Sequence, residues 1–347
     1  MKTNYWSVDK FVDNLENYPQ IQQAAHLLAK NEVVAFPTET VYGLGGNARE
    51  DQAVEKIFTA KGRPSDNPLI VHIAEQSQLA AFVESISANA QLLMDRFWPG
   101  PLTIIFPLKK GFISNRATAG LDTVAVRMPD HPVALAVLKA AGLPIAAPSA
   151  NRSGKPSPTT ASHVKEDLDG RIAGIVDGGP TGVGVESTVI DCTTEIPIIL
   201  RPGGVTREQL EQVVGEVQVD PALSDEKEAP KSPGMKYRHY APDAPLYLVE
   251  GTKEAIQRHI NEQRREGRRV GVLTTKENET YYDADYIFAC GERAHLESVA
   301  SSIYEALRSF NKQDIDVIYS EMFPTEGVGN AIMNRLLKAA GQRVISG

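Results

Sequence analysis

The sequence predicts an α/β protein in two parts: a twisted mixed sheet with helices around it, then a small parallel α/β domain. Three observations carry that expectation. After residue 244, short apolar runs alternate regularly with helical periodicity, the pattern of parallel β-α units. Before residue 215 the apolar runs are more numerous and their order is irregular, which suits a mixed sheet. Between the two, DPALSDEKEAPKSPGMKYRHYAPD (220–243) loses its periodicity to proline, glycine and charge, the composition of a linker. The expected division is therefore 1–215, a connecting segment 216–243, and 244–347.

Taken in order, QIQQAAHLLAK (20–30) places Ile21, Ala24, Ala25 and Leu28 on one helical face. VVAFP (33–37) is a short apolar strand stopped by proline. Residues 51–60 suggest a helix, and KGRPSDNP is a polar loop of turn formers. LIVHI (69–73), LTIIFPL (102–108) and TVAVRMP (123–129) are strands, with one or two helices at 76–97 and another at 132–141. PIAAPSA (144–150) is a strand running into a loop. IAGIVDGG (172–179), STVIDC (187–192) and IPIILRPG (196–203) are further strands. TREQLEQVV (206–214) is a helix that Thr206 can cap. The second part reads as strands at 245–250, 269–274, 285–290 and 315–320, with helices at 253–266, 295–310 and 329–340.

Composition narrows the function. The 347 residues suit about two domains, and 42% hydrophobic content excludes a wholly disordered chain. With 36 basic and 44 acidic residues the net charge is -8, which argues against a nucleic-acid coat protein but leaves room for a local basic pocket. Cys192 and Cys290 form no CxxC pair, so both are expected to be reduced core thiols. The polar start and the lack of any run of about 18 apolar residues predict a cytoplasmic protein with no membrane span. No GxxxxGK[ST], HExxH or GxSxG motif occurs. The stretch Gly43–Ala48 formally fits a dinucleotide fingerprint, but Thr38–Tyr42 separate it from the preceding strand.

What remains is a set of polar residues at strand ends and in loops. Lys61, Arg63, Ser65 and Asn67 lie in one loop, where two cations suit a polyphosphate or a carboxylate, or simply a solvated turn. In PSANRSGKPSPTT (148–160), Ser149 and Asn151 alternate and can point to one side, while Lys155, Ser157, Thr159 and Thr160 add donors; a surface turn is the plainer alternative. Arg127 sits inside an apolar strand and needs either a carboxylate ligand or a structural ion pair. His72 is either a satisfied strand residue or a ligand contact. Glu186-Ser187-Thr188 and Arg201 stand at strand termini. SPGMKYRHYAP (232–242) is rich in groups that free linkers rarely carry, so it either folds over a neighbouring site or packs on a domain face. Arg258, Arg264, Arg265, Arg268 and Arg269 read as a solvated face on the first helix of the second part, with a tRNA or protein contact as the alternative.

Together FPTETVYGLG (36–45), KGRPSDNPLIVHI (61–73), WPGPLTII (98–105), VAVRMPDHP (124–132), APSANRSGKPSPT (147–159), ESTVID (186–191) and LRPG (200–203) resemble the YrdC-like family, in its two-domain form. The resemblance implies a twisted mixed sheet with a concave positive cavity, a connecting segment closing over it, and a small Rossmann-like C-terminal domain. It implies an enzyme that converts L-threonine, bicarbonate and ATP into threonylcarbamoyl-adenylate and pyrophosphate, with Mg²⁺ accompanying the ATP. The product would pass to a tRNA threonylcarbamoyltransferase complex, with direct tRNA contact optional. Carried over by motif, Thr40, His72, Arg127, Ala147 and Ser187 would surround threonine. Arg63, Asn67, Thr123, Ser149, Ser157, Arg201 and Tyr240 would hold the nucleotide. Lys61, Arg63, Ser149 and Asn151 would form the catalytic K-x-R and S-x-N pairs, with the roles of Thr38 and Thr40 not separable. An RNA-binding module is the alternative reading, marked by salt-dependent RNA affinity without ATP turnover. A carbamoyltransferase starting from carbamoyl phosphate is a third; this chain shows none of the zinc-finger modules such proteins carry.

Overall fold

The computed structural model describes residues 2–223 and 240–347. They divide into two compact units: 2–153, 158–182 and 186–223 in the first, and 154–157, 183–185 and 240–347 in the second.

The strands of the first unit are β1 (Asn4–Ser7), β2 (Val34–Phe36), β3 (Gly43–Asn47), β4 (Ile70–His72), β5 (Leu102–Pro107), β6 (Thr123–Arg127), β7 (Ile145–Ala146), β8 (Gly174–Asp177), β9 (Thr188–Asp191), β10 (Ile198–Arg201) and β11 (Gln218–Val219). They form one sheet in the order β1-β8-β2-β3-β7-β4-β6-β5-β9-β10-β11. It is mixed, as expected: β4 runs parallel to β6, for example, and β5 antiparallel to it.

The helices are α1 (Pro19–Ala29), α2 (Asp51–Lys61), α3 (Ala88–Phe97), α4 (Pro132–Ala141), α5 (Ala161–Leu168) and α6 (Arg207–Val214). Helices α2, α3, α5 and α6 cover one face, where Leu44, Val71, Ile104 and Val126 meet Ile57, Leu93, Val164 and Leu210. On the other face α1 and α4 cover Val34, Phe36, Ile145 and Val176. Each such buried aliphatic side chain contributes about 1.5–3 kcal/mol, so these contacts hold the layers together. The rest of that second face carries a small cluster of Ile70, Ile105, Ala125, Val189 and Leu200, all strand residues, to which no described helix contributes. This half-sheet is where the candidate site lies.

Some elements escape the sequence reading. The glycine stretch 43–47 is strand β3. A Cβ on Gly45 would lie 2.6 Å from the Phe36 ring and 2.8 Å from Ile145, and one on Gly46 would lie 3.1 Å from Ile57. The strand is squeezed on both sides, so it lacks the side chains that would reveal its period. Helix α5 hides behind turn formers, although Thr160 caps it by accepting from His163 N. Strand β1 pairs with β8, and β11, within the expected connecting segment, extends the sheet beside β10.

The second unit holds β12 (Leu246–Glu250), β13 (Val270–Thr274), β14 (Tyr286–Ala289), β15 (Val317–Glu321) and β16 (Val344–Ser346), with α7 (Lys253–Arg265), α8 (Leu296–Phe310) and α9 (Val328–Ala340). Its sheet is parallel throughout, in the order β14-β13-β15-β12-β16. Strand β15 therefore lies between β13 and β12, which a 3-2-1-4-5 order would pair directly. Both cysteines are free and buried, and burial pushes each thiol up to about 12. Of the expected helix-face arginines, Arg268 and Arg269 lie beyond the end of α7 at Arg265; Arg264, Arg268 and Arg269 form partly exposed ion pairs with Asp283, Glu266 and Asp314.

Candidate functional site

Strand register builds the site. His72 lies opposite Arg127, Arg127 opposite Thr103, Thr103 opposite Val189, and Val189 opposite Arg201. Directly opposite residues point to the same face, so five strands contribute one row on this half-sheet. Arg201 reaches it through an irregularity. It shares parity with Ile199, which is in the main core, but the register shifts between the two. Such a bulge re-aims the side chain, and Arg201 then donates through Nε and one terminal nitrogen to the Ser187 carbonyl at 3.1 and 2.9 Å. The same nitrogen reaches Ser187 Oγ at 3.1 Å, which also meets Thr103 Oγ1 at 2.8 Å. Gly203 permits this approach: a Cβ there would sit 2.3 Å from the Glu186 carbonyl oxygen.

Arg127 is 4% exposed. It donates to Thr40 Oγ1 at 2.8 Å and to the Gly100 carbonyl at 3.3 Å, and its remaining terminal nitrogen lies 2.5 Å from Glu39 Oε1. The structure thus separates two neighbouring threonines. Thr38 holds the loop by donating to the Val41 carbonyl, whereas Thr40 faces Arg127. Beside Arg127, burial first and the guanidinium second push His72 down to about 3, so its imidazole is neutral. Its Nδ1 lies 3.2 Å from the Ile70 carbonyl, which can only accept. A proton on Nδ1 satisfies this carbonyl.

A second cluster adjoins the first. Lys61, the last residue of α2, is 3% exposed, and its Nζ donates to the carbonyls of Ser149 and Asn151 at 2.5 and 2.7 Å. Ser149 Oγ donates to Asn151 Oδ1 at 2.5 Å. The K-x-R and S-x-N segments are thereby tied together, 88 residues apart in the chain. Their loop is bonded to the Thr40 loop, since Ala150 N donates to the Tyr42 carbonyl and Leu44 N to that of Pro148. Ala147 is anchored through its N–H to the Ile70 carbonyl.

Arg63 is half-buried and Asn67 buried in the loop after α2. Thr123 shares a face with Arg127 but begins β6, about 13 Å away at roughly 3.3 Å per residue. Ser157 and Tyr240 belong to the second unit. There Tyr240 adopts φ 66°, its ring centroid is 5.1 Å from that of Tyr304, and Ala241 N donates to the Gly154 carbonyl. Most of the expected closing segment, residues 232–239, lies outside the described residues. Sequence reasoning missed Glu39 and Thr103. Both sit within quoted motifs, but only chain-distant pairing reveals what they touch.

Residues 26–203 match the Sua5/YciO/YrdC family, described as telomere recombination, and residues 205–341 match the C-terminal domain of threonylcarbamoyl-AMP synthase. The chain is 63% identical over 345 residues to the threonylcarbamoyl-AMP synthase of Bacillus subtilis (strain 168), covering 99% of this chain and 100% of that protein. It is 49% identical to that of Pyrococcus abyssi (strain GE5 / Orsay), covering 94% and 95%. The crystal structure of P. abyssi Sua5 complexed with L-threonine matches with a TM-score of 0.92 at 46% identity, covering 99% of this chain and all of that one.

Proposed function

Because the chain belongs to the Sua5/YciO/YrdC family of threonylcarbamoyl-AMP synthases, we propose that its first unit joins L-threonine, bicarbonate and ATP into threonylcarbamoyl-adenylate, releasing pyrophosphate. The observation that carries this reading is the meeting of two polar clusters on otherwise apolar scaffolding: His72 and Arg127 in the strand row with Thr40 and Ser187 bonded to it, and Lys61, Ser149 and Asn151 beside it.

In this reading the Arg127 guanidinium takes the threonine carboxylate, for which its planar fork is suited. Thr40, Ser187 and the Ala147 backbone orient the amino acid. Neutral His72 contacts the threonine side chain. Arg63, Asn67, Thr123, Ser149 and Arg201 hold the nucleotide, and Lys61 pins the Ser149–Asn151 loop. The threonine amine attacks the carbon of bicarbonate, giving a carbamate as water leaves. A carbamate oxygen then attacks the α-phosphate and pyrophosphate departs. Neither step calls for a protein nucleophile; alignment and fixed cations do the work. Mg²⁺ accompanying the triphosphate would be held by phosphate oxygens and water and would offset the phosphate charge. Among the described residues no three His, Cys, Asp or Glu side chains gather into a ligand set. The adenylate is consumed by a complex that modifies adenosine beside the anticodon of tRNA.

The test is pyrophosphate release by the full chain with Mg²⁺ and ATP, omitting threonine and then bicarbonate. Release should need both. Release indifferent to either omission removes the assignment.

A further inference from the structure

The proposed function leaves Glu39 without a task. It stands between Thr38 and Thr40, in the loop that brings Thr40 to Arg127. Its Oε1 lies 2.5 Å from an Arg127 terminal nitrogen, with the two side chains only 13% and 5% exposed. The approach is close but poorly angled. Among the described residues, neither Glu39 oxygen nor that nitrogen has a hydrogen bond of good geometry. A buried carboxylate normally collects such bonds, since desolvating it is costly; here charge alone compensates it.

Within the pair the charges balance. Arg127 is positive and Glu39 negative. Burial and Arg127 hold His72 down to about 3, and burial holds His131, close to Glu39, down to about 4, so both are neutral at pH 7. Asp130 also faces Glu39, and burial followed by that carboxylate raises it above its usual range. Arg201 lies three strands along the row, about 14 Å away at 4.7–4.9 Å per strand. A zwitterion brings one partner for each member of the pair and adds no net charge. A simple carboxylate would set a second negative charge beside Glu39, which a dry site disfavours.

We propose that Glu39 receives the α-ammonium group of the amino-acid substrate while the substrate carboxylate takes Arg127, so that the pair selects zwitterionic amino acids over other small carboxylates. This rests on the proposed function and deepens it. In the free protein the two side chains neutralise each other; substrate supplies the missing hydrogen bonds to both.

The experiment is calorimetric titration of the full chain with L-threonine and with 2,3-dihydroxybutanoate, its analogue bearing a hydroxyl in place of the amine. The parent protein should bind threonine about tenfold or more tighter. Glu39→Gln, similar in shape but uncharged, should lose about tenfold or more for threonine and less than about threefold for the analogue, so that the preference collapses. Equal affinity of the parent for both ligands overturns the proposal. So does a Gln variant that keeps the preference or loses both ligands alike. Should that variant fail to fold, the parent's two affinities still decide. Threonine-dependent pyrophosphate release by the parent, measured alongside, keeps the two readings apart. Its absence sinks the substrate assignment, whereas its presence with an unaltered preference in the variant sinks only the role of Glu39.

Discussion

Each unit buries a glutamate next to an arginine, and the two are bonded very differently. In the second unit Glu321, at the end of β15, accepts from Thr274 Oγ1 at 2.6 Å, Asn278 Nδ2 at 2.8 Å, Tyr282 OH at 2.9 Å and Arg293 at 2.7 Å. Burial works to raise its pKa, but these four hydrogen bonds outweigh it and hold the carboxyl below the usual range. In the first unit Glu39 has the arginine and, among the described residues, no well-formed hydrogen bond. A complete set of donors marks a group that stabilises the fold. An incomplete one, in a loop set against the strand row, is what the proposed amino-acid ligand would complete.

The largest effect should come from breaking the incomplete pair. Arg127→Ala should raise the threonine KM of pyrophosphate release about a hundredfold or more, and should cost about 3 kcal/mol of stability by leaving Glu39 buried without its cation. Unchanged threonine kinetics would end the contrast. The complete network should behave in the opposite sense. Glu321→Ala should cost about 3 kcal/mol in denaturant unfolding, because four donors lose their acceptor, and should leave the threonine KM within about twofold. A tenfold shift in that KM would mean the second unit's network does more than hold its fold.

The smallest effect concerns pH. His72 titrates near 6.5 when unfolded and at about 3 in the fold. Between those values the unfolded chain binds a proton that the folded chain does not. Stability therefore falls as pH drops through this window, by about 1.4 kcal/mol per unit at most. His131, pushed down to about 4, acts in the same direction. Glu321 contributes stability above its ordinary 4.5 and loses it as pH falls through its lower folded value. From pH 6.5 to about 5 the histidines thus dominate this trio. His72→Gln should flatten the decline there without abolishing it, as read from melting temperature against pH. A decline as steep as the parent's would contradict the burial of His72.

Much of the scaffold was legible because it is local. The runs around Val71, Ile104 and Val126 are strands, and Thr206 caps α6 through a reciprocal bond with Gln209, as its spacing suggests. Strand β3 was not legible: its glycines answer to Phe36 and Ile145, and a residue without a side chain shows no alternation. Arg201 was visible as a polar group at a strand end, but its direction was not. Strict alternation would have sent it into the core, and the shift after Ile199 turned it. For Arg127, a ligand carboxylate and a structural ion pair stood as rival explanations. The structure supplies the ion pair with Glu39.

By itself the sequence determined where most strands and helices of both units fall, which polar residues interrupt them, and the family to which the chain belongs. Helical and strand periods, caps and turn residues act over a few positions and so can be read in one dimension. Only the tertiary structure decided which polar groups meet. Arg127 and Thr40 are 87 residues apart in the chain, and Lys61 and Asn151 are 90 apart. Such meetings depend on the pairing register between distant strands, where a slip of one residue turns every side chain to the opposite face.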